Sequence, residues 1–242
     1  NDEQKIKKRK NAVVEFFDPQ HAKRCVTSLL KKREHQLRRI LILFMIMHML
    51  CNGISQGEAQ NLFLYVRSKL SWDVDTYVYH NVFTSICGLV GTSLAVGVLS
   101  KLLKVNDIFL VLLSTLLSII CRGVYIGATK TSQFFSGTAI DFTFSIKFLA
   151  VRSIISKIVP NDDLSTMFAI MGLFEALAGF IFPFIYPTFY QFLLKNPHHD
   201  VSEMFLLSGV LLIVAFLVYL YEWYLLKLKD KAEEDIDEVT KL

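Results

Sequence analysis

The chain has 242 residues, of which 53% are hydrophobic, and a mean hydropathy of +0.43. That is too apolar for an ordinary soluble domain. The formal net charge of +4 does not point to nucleic acid, because 12 of the 26 basic residues crowd into residues 1–39 and no zinc-finger or RNA-recognition pattern accompanies them.

Residues 1–39 read as a basic, cytoplasmic loop. Its apolar residues, Val13, Val14, Phe16 and Phe17 and later Val26, Leu29 and Leu30, suggest short amphipathic elements lying on a membrane surface. The chain begins at Asn1 in a charged stretch without a signal-peptide pattern, which raises the expectation of a piece of something longer. Six apolar runs follow, at about 40–66, 76–99, 108–128, 134–157, 167–190 and 204–226. They are continuous rather than alternating, so they are expected to be helices, not barrel strands. The expected fold is therefore an all-α membrane protein with a six-helix transmembrane bundle over 40–226 and a polar tail over 227–242. With six spans, both ends lie on one side. That side carries 20 of the 26 basic residues and the other carries four, so the positive-inside rule makes both termini of this segment cytoplasmic.

Polar residues inside the spans carry the functional signal. In the first, His48, Asn52, Gln56 and Gln60 recur every four residues and form a slowly drifting polar face. Gly53 and Gly57 invite close packing or a kink. Glu58 lies off that face and must be paired, hydrated or protonated. Two readings stay open here: a solute-lining helix with a protonatable group, and a small-residue seam with hydrogen-bonded amides. His48 reads as a packing residue. Arg122, late in the third span, is expected to snorkel to the outer interface.

The fourth span, Phe134 to Val159, carries Asp141, Lys147 and Arg152. On one continuous helix Arg152 lies about 20° around from Asp141, with Ser145 about 40° away and Lys147 about 120° off the stripe. An acid, a hydroxyl and a guanidinium on one face should meet a polar cavity or a partner helix; the alternative is a structural ion pair. Glu175, in the fifth span, is a second candidate partner for Arg152 or Lys147. His198 and His199 read as solvated loop residues. The four scattered cysteines, Cys25, Cys51, Cys87 and Cys121, have no metal-site or disulfide spacing. No HExxH, GxSxG, P-loop or histidine-box pattern occurs, so no catalytic residues, no metal and no enzyme activity are expected.

The run Arg152-Ser-Ile-Ile-Ser156-Lys157-Ile-Val159, followed by Asp163-Leu-Ser165 and Phe168, resembles the tenth-helix signature of solute carrier family 46. This is the family of the proton-coupled folate transporter, within the major facilitator superfamily. Phe17-Asp18-Pro19 with His21, Leu64-Tyr65 then Trp72, and Tyr186-Pro187 fall in matching order, over nearly the whole chain aligned to the family's carboxy-terminal half. The resemblance implies helices seven to twelve of a twelve-helix transporter, with residues 1–39 in its central loop. Helices seven and ten would line the central cavity. It also implies that the arginine matching Arg152 serves substrate binding or proton coupling. Gln60, Asp163-Leu-Ser165 and Lys147 depart from the family pattern and turn the expectation away from folate itself, toward other anionic solutes.

The resulting expectation is a secondary active transporter importing an organic anion, such as a folate-like solute, by proton symport. Arg152 would attract the anion, and Asp141 or Glu58 would carry the proton. Ser145, Asn52, Gln56, Lys147, Glu175 and Tyr186 complete the candidate site. No cofactor is expected beyond the proton as coupling ion. The expected partners are the solute, the lipid bilayer and an amino-terminal six-helix half outside this chain. The expected location is the plasma or endolysosomal membrane. The competing expectation is a non-transporting receptor or scaffold built on a truncated transporter fold.

Overall fold

The computed structural model describes residues 37–94, 106–196 and 198–240. The basic segment before Leu37, Cys25, the end of the expected second span, and Lys101 and Lys104 lie outside them. Among the described residues the regular structure is helical. The elements are α1 (Leu37–Leu70), α2 (Val74–Leu94), α3 (Asp107–Gly127), α4 (Thr131–Ile140), a 3-10 turn (Asp141–Thr143), α5 (Ile146–Ile158), α6 (Asn161–Lys195) and α7 (Glu203–Thr240).

The all-α membrane architecture holds. Five segments are long and apolar enough to cross a membrane: Leu37–Leu70, Asp107–Gly127, Thr131–Ile158, Asn161–Lys195 and Glu203–Leu228. The described part of α2 is not among them, because His80, Asn81, Thr84 and Ser85 dilute its apolar residues. The polar tail is not a separate element: α7 continues as helix through it to Thr240.

Local chemistry sets the ends. Ser71 adopts a left-handed conformation (φ 53°) that stops α1, a position rarely filled by anything but Gly or Asn. The Thr76 amide then donates to Asp73 Oδ1 at 3.0 Å, an N-cap bond; hydrogen bonding from the Thr76 side chain and then from its amide holds the exposed Asp73 carboxyl below its ordinary range. Asn106 caps α3 through Ile108 N (3.3 Å), and Gln133 Oε1 accepts the Lys130 amide at the start of α4 (3.1 Å).

Packing is chiefly α1 along α6, α3 along α7 and α5, and α1 along α7, while α2 lies against α4 and the 3-10 turn. The α1–α6 seam is made possible by two glycines. A Cβ on Gly53 would sit 2.3 Å from the Phe182 ring, and one on Gly57 equally close to the Tyr186 ring. Pro183 and Pro187 stand inside α6, which continues as helix through both, as neighbouring helices permit in membrane proteins. Phe44, Ile54, Tyr65, Ile155, Phe205 and Tyr219 form the centre of the core. Apolar side chains such as Val78 and Leu89 of α2 and Phe180 and Phe184 of α6 are exposed, as a lipid-facing surface requires.

The fourth span is where structure and expectation part. It is not one continuous helix: α4 ends at Ile140, a 3-10 turn intervenes, and α5 restarts at Ile146. Ser114 Oγ donates to the Thr143 carbonyl (2.6 Å), satisfying a backbone group freed by the break. The Phe142 carbonyl passes directly over Gly91 of α2, where a Cβ would lie 1.8 Å from the oxygen.

Candidate functional site: a buried charge network beside a cavity

α3 supplies the centre of the site. Ser114, Ser118, Arg122 and Tyr125 follow one another at helical spacing and are all buried. Arg122, 5% exposed, does not snorkel to the interface. Its Nη2 donates to Glu58 Oε2 at 2.8 Å and its Nε to Glu58 Oε1 at 3.2 Å, a two-pronged clamp from α1. Its Nη1 donates to Asp141 Oδ2 at the start of the 3-10 turn. The far side of Asp141 accepts from Ser118 Oγ (2.6 Å). Lys147 of α5, 2% exposed, donates to that same Ser118 Oγ at 2.9 Å and rests 4.7 Å from the centre of the Phe144 ring. Two acids and two bases thus balance within one hydrogen-bonded chain. Several kcal/mol of desolvation per ion, on the order quoted for buried charges, makes this balance obligatory.

A cavity of about 750 Å³ opens against the network. Glu58, Arg122 and Asp141 form its charged wall, and Gln56, Ser145 and residues of α2 also line it. Of the residues anticipated from sequence, Glu58, Asp141, Gln56 and Ser145 therefore line one cavity. Asn52, Lys147, Arg152, Glu175 and Tyr186 do not.

Arg152 stands apart from Asp141, and the expected common stripe is not formed. Its side chain is 47% exposed, and Nη2 donates to Glu175 Oε1 at 2.5 Å. The same oxygen lies 2.6 Å from His48 Nε2, so His48, Glu175 and Arg152 tie α1, α6 and α5 together. Lys147, expected to point away from the acid, is part of its network. Tyr186 is buried over Gly57 and bonds Ser208 Oγ at 2.7 Å. Asn52 is half-buried on α1. His199 is exposed and meets Glu203 at 2.9 Å.

Sequence reading missed Arg122 as a site residue, and with it Ser118, Tyr125, His80 and Thr138. The signal was present for the first three: a serine, arginine and tyrosine recurring on one face of α3. Among the described residues no cluster of histidine, cysteine and carboxylate side chains suits a metal ion.

A buried, balanced charge network on the wall of an intramembrane cavity is the kind of site that moves or binds ions. No protein-family model matches the chain. One distant relative does. The likeness is to a transporter. The chain is 26% identical over 164 residues to the Drosophila melanogaster protein named "Probable peptidoglycan muropeptide transporter SLC46". The match takes in 66% of this chain and 31% of that protein, so the chain spans about a third of its relative's length. This links the chain to a transporter family at the level of distant similarity, in line with the resemblance read from Arg152–Val159 and its companions.

Proposed function

We propose that these residues form part of a secondary active transporter that carries an organic anion together with a proton. The observation that carries the reading is Arg122, clamped between Glu58 and Asp141 on the wall of the cavity. A guanidinium held by two carboxylates is poised for exchange. Protonation of either acid weakens its hold, and the freed N–H groups can make charge-assisted, two-pronged bonds to a substrate carboxylate. Proton and anion then favour each other's binding by the same factor, which is the thermodynamic requirement for symport. On this reading Arg122 takes the anion-binding role that the resemblance implies for Arg152, while Arg152 holds the helices together through Glu175. Ser118 and Lys147 hold Asp141 in place.

Movement would follow the alternating-access scheme, with this bundle rocking against a second bundle supplied from outside these 242 residues. The positive-inside asymmetry supports cytoplasmic termini, in a plasma or endolysosomal membrane. A folate-like solute and the muropeptide of the relative's name both carry carboxylates, and both suit the charged wall.

The test is uptake by the full-length protein in proteoliposomes with an imposed pH gradient. The labelled panel would hold a folate, a muramyl peptide and simple organic anions. Acid-driven uptake of one class is expected, and Arg122→Gln should abolish it. Because that change strands two buried carboxylates, the neutral triple variant Arg122→Gln/Glu58→Gln/Asp141→Asn should accompany it, folded yet inactive. Uptake unaffected by either variant would remove the anion site from Arg122. No uptake of any anion would favour the receptor or scaffold alternative.

A further inference from the structure

A second cavity, of about 430 Å³, lies outside the charge network, where the ends of three elements converge. Asp107 and Ile108 line it from the start of α3, Lys157 and Ile158 from the end of α5, and Trp223 and Lys227 from α7. All six stand at or near the ends of segments long and apolar enough to cross a membrane, Asp107–Gly127, Thr131–Ile158 and Glu203–Leu228. The cavity therefore sits at the level where hydrocarbon gives way to lipid headgroups.

Charge accounting shows what the lining lacks. Asp107 is buried, and its Oδ2 accepts from both Ser153 Oγ and Lys157 Nζ at 2.6 Å, so the acid is already engaged within the protein. The Lys157 side chain is nonetheless 68% exposed, and its ammonium keeps two of its three hydrogens for another acceptor. Lys227 Nζ stands 5.5 Å from the centre of the Trp223 ring, and among the described residues no carboxylate pairs with it. Two lysines against one aspartate leave the described lining with one net positive charge. Ile108 and Ile154, both buried, supply an apolar part beside it.

We propose that this cavity holds the headgroup of an anionic phospholipid. One net positive charge matches the single negative charge of a phosphodiester, and Lys157 and Lys227 donate charge-assisted bonds to its oxygens. Trp223, 42% exposed, takes the place that aromatic side chains favour at the membrane interface. Tyr224 and Leu228, exposed beside Trp223 and Lys227 in α7, offer the acyl chains an apolar surface for which a free phosphate has no use. The positive-inside asymmetry supports a cytoplasmic position for this end, in the leaflet where acidic lipids are concentrated. The site is separate from the anion site proposed at Arg122 and does not depend on it.

Native mass spectrometry of the full-length protein in detergent tests it, with dioleoyl-phosphatidylglycerol (anionic) or dioleoyl-phosphatidylcholine (zwitterionic) added. Retention of phosphatidylglycerol at the lower concentration is expected. Lys227→Gln removes a cation without stranding an acid. It should weaken that retention about fivefold, the size of one lysine's attraction to an anionic lipid surface. Asp107→Asn keeps an acceptor for Ser153 and adds one positive charge to the lining, so it should strengthen retention by a similar factor. Lys195→Gln, at the far end of α6 and exposed, should change nothing. Equal retention of the two lipids overturns the assignment, as does an unchanged affinity in Lys227→Gln and Asp107→Asn. A loss in Lys195→Gln as large as in Lys227→Gln also overturns it, because attraction to any surface lysine would then suffice. Millimolar inorganic phosphate that displaces the lipid would make this a site for free phosphate and remove the lipid. Binding is read here without transport, so failure of these outcomes leaves the Arg122 site standing, and failure of acid-driven uptake leaves the lipid site standing.

Discussion

Arg122 draws its two carboxylates from different elements, Glu58 from α1 and Asp141 from the break between α4 and α5. Removing the cation strands both. Arg122→Gln is therefore expected to lower stability by about 3–5 kcal/mol, the usual cost of breaking a buried pair from one side. The neutral triple variant should recover most of that loss. Thermal unfolding in detergent, with folded yield by gel filtration, measures both. Arg152→Ala should behave differently. Its side chain is 47% exposed, solvent screens the bond to Glu175, and the expected loss is under about 1 kcal/mol. A loss as large as that of Arg122→Gln would mean that the Arg152–Glu175–His48 tie is the true structural centre. The contrast also shows what a sequence can and cannot tell. The polar stripe of α3 was readable from Ser118, Arg122 and Tyr125. That its arginine turns inward was not, because the carboxylate that holds it comes from another helix. The assumption of a uniform 100° per residue failed at Asp141. Three residues of 3-10 helix advance about 120° each, so Asp141 and Arg152 lose the face they would share on a regular helix.

Two glycine contacts between elements look alike in sequence and differ in what they tolerate. At Gly57 an added Cβ meets the Tyr186 ring at 2.3 Å, the side of an aromatic group that can shift if α1 and α6 separate slightly. Gly57→Ala should cost about 1–3 kcal/mol, as overpacking does, with Tyr186→Leu in the same chain returning part of it. At Gly91 the obstacle is the Phe142 carbonyl oxygen, 1.8 Å from the added carbon, on backbone fixed by the Ser114–Thr143 bond. No rotamer relieves it. α2 packs chiefly on this turn and on α4, so Gly91→Ala should lift α2 off the break and open the cavity that it helps to line. The expected sign is faster maleimide labelling of Cys87 in Gly91→Ala, with Cys51 and Cys121, both buried, still protected in both Gly91→Ala and Gly57→Ala. Equal Cys87 rates in all forms would show that α2 is held by something other than this contact. The helical type of the described segments was legible from hydropathy alone. The glycine at the break was not singled out, since only the folded chain brings Phe142 across it.

At the scale of the whole molecule, the up-and-down order of the helices brings charges from distant segments to the same end of the bundle. Lys157 Nζ donates to Asp107 Oδ2 at 2.6 Å at one end, and Lys69 pairs with Asp200 at the other. The second pair decides a question about pH. The bond from Lys69 holds the Asp200 carboxyl below its ordinary range. A depressed folded value means that the pair's contribution is complete above the unfolded Asp value of about 3.9 and is lost only as pH falls through the lower folded value. Across pH 5 to 8 that contribution is constant. Both side chains are substantially exposed, at 30% and 52%, so it is also small, under about 1 kcal/mol. Asp200→Asn should therefore lower thermal stability slightly, by an amount that shrinks in high salt. It should leave the shape of the uptake–pH profile unchanged. Any acid activation of uptake in that window must therefore originate away from this pair. A profile whose midpoint moved in Asp200→Asn would place the pH-sensitive step at the Lys69 end of the bundle instead, and would require protonation there to be coupled to opening rather than to substrate binding.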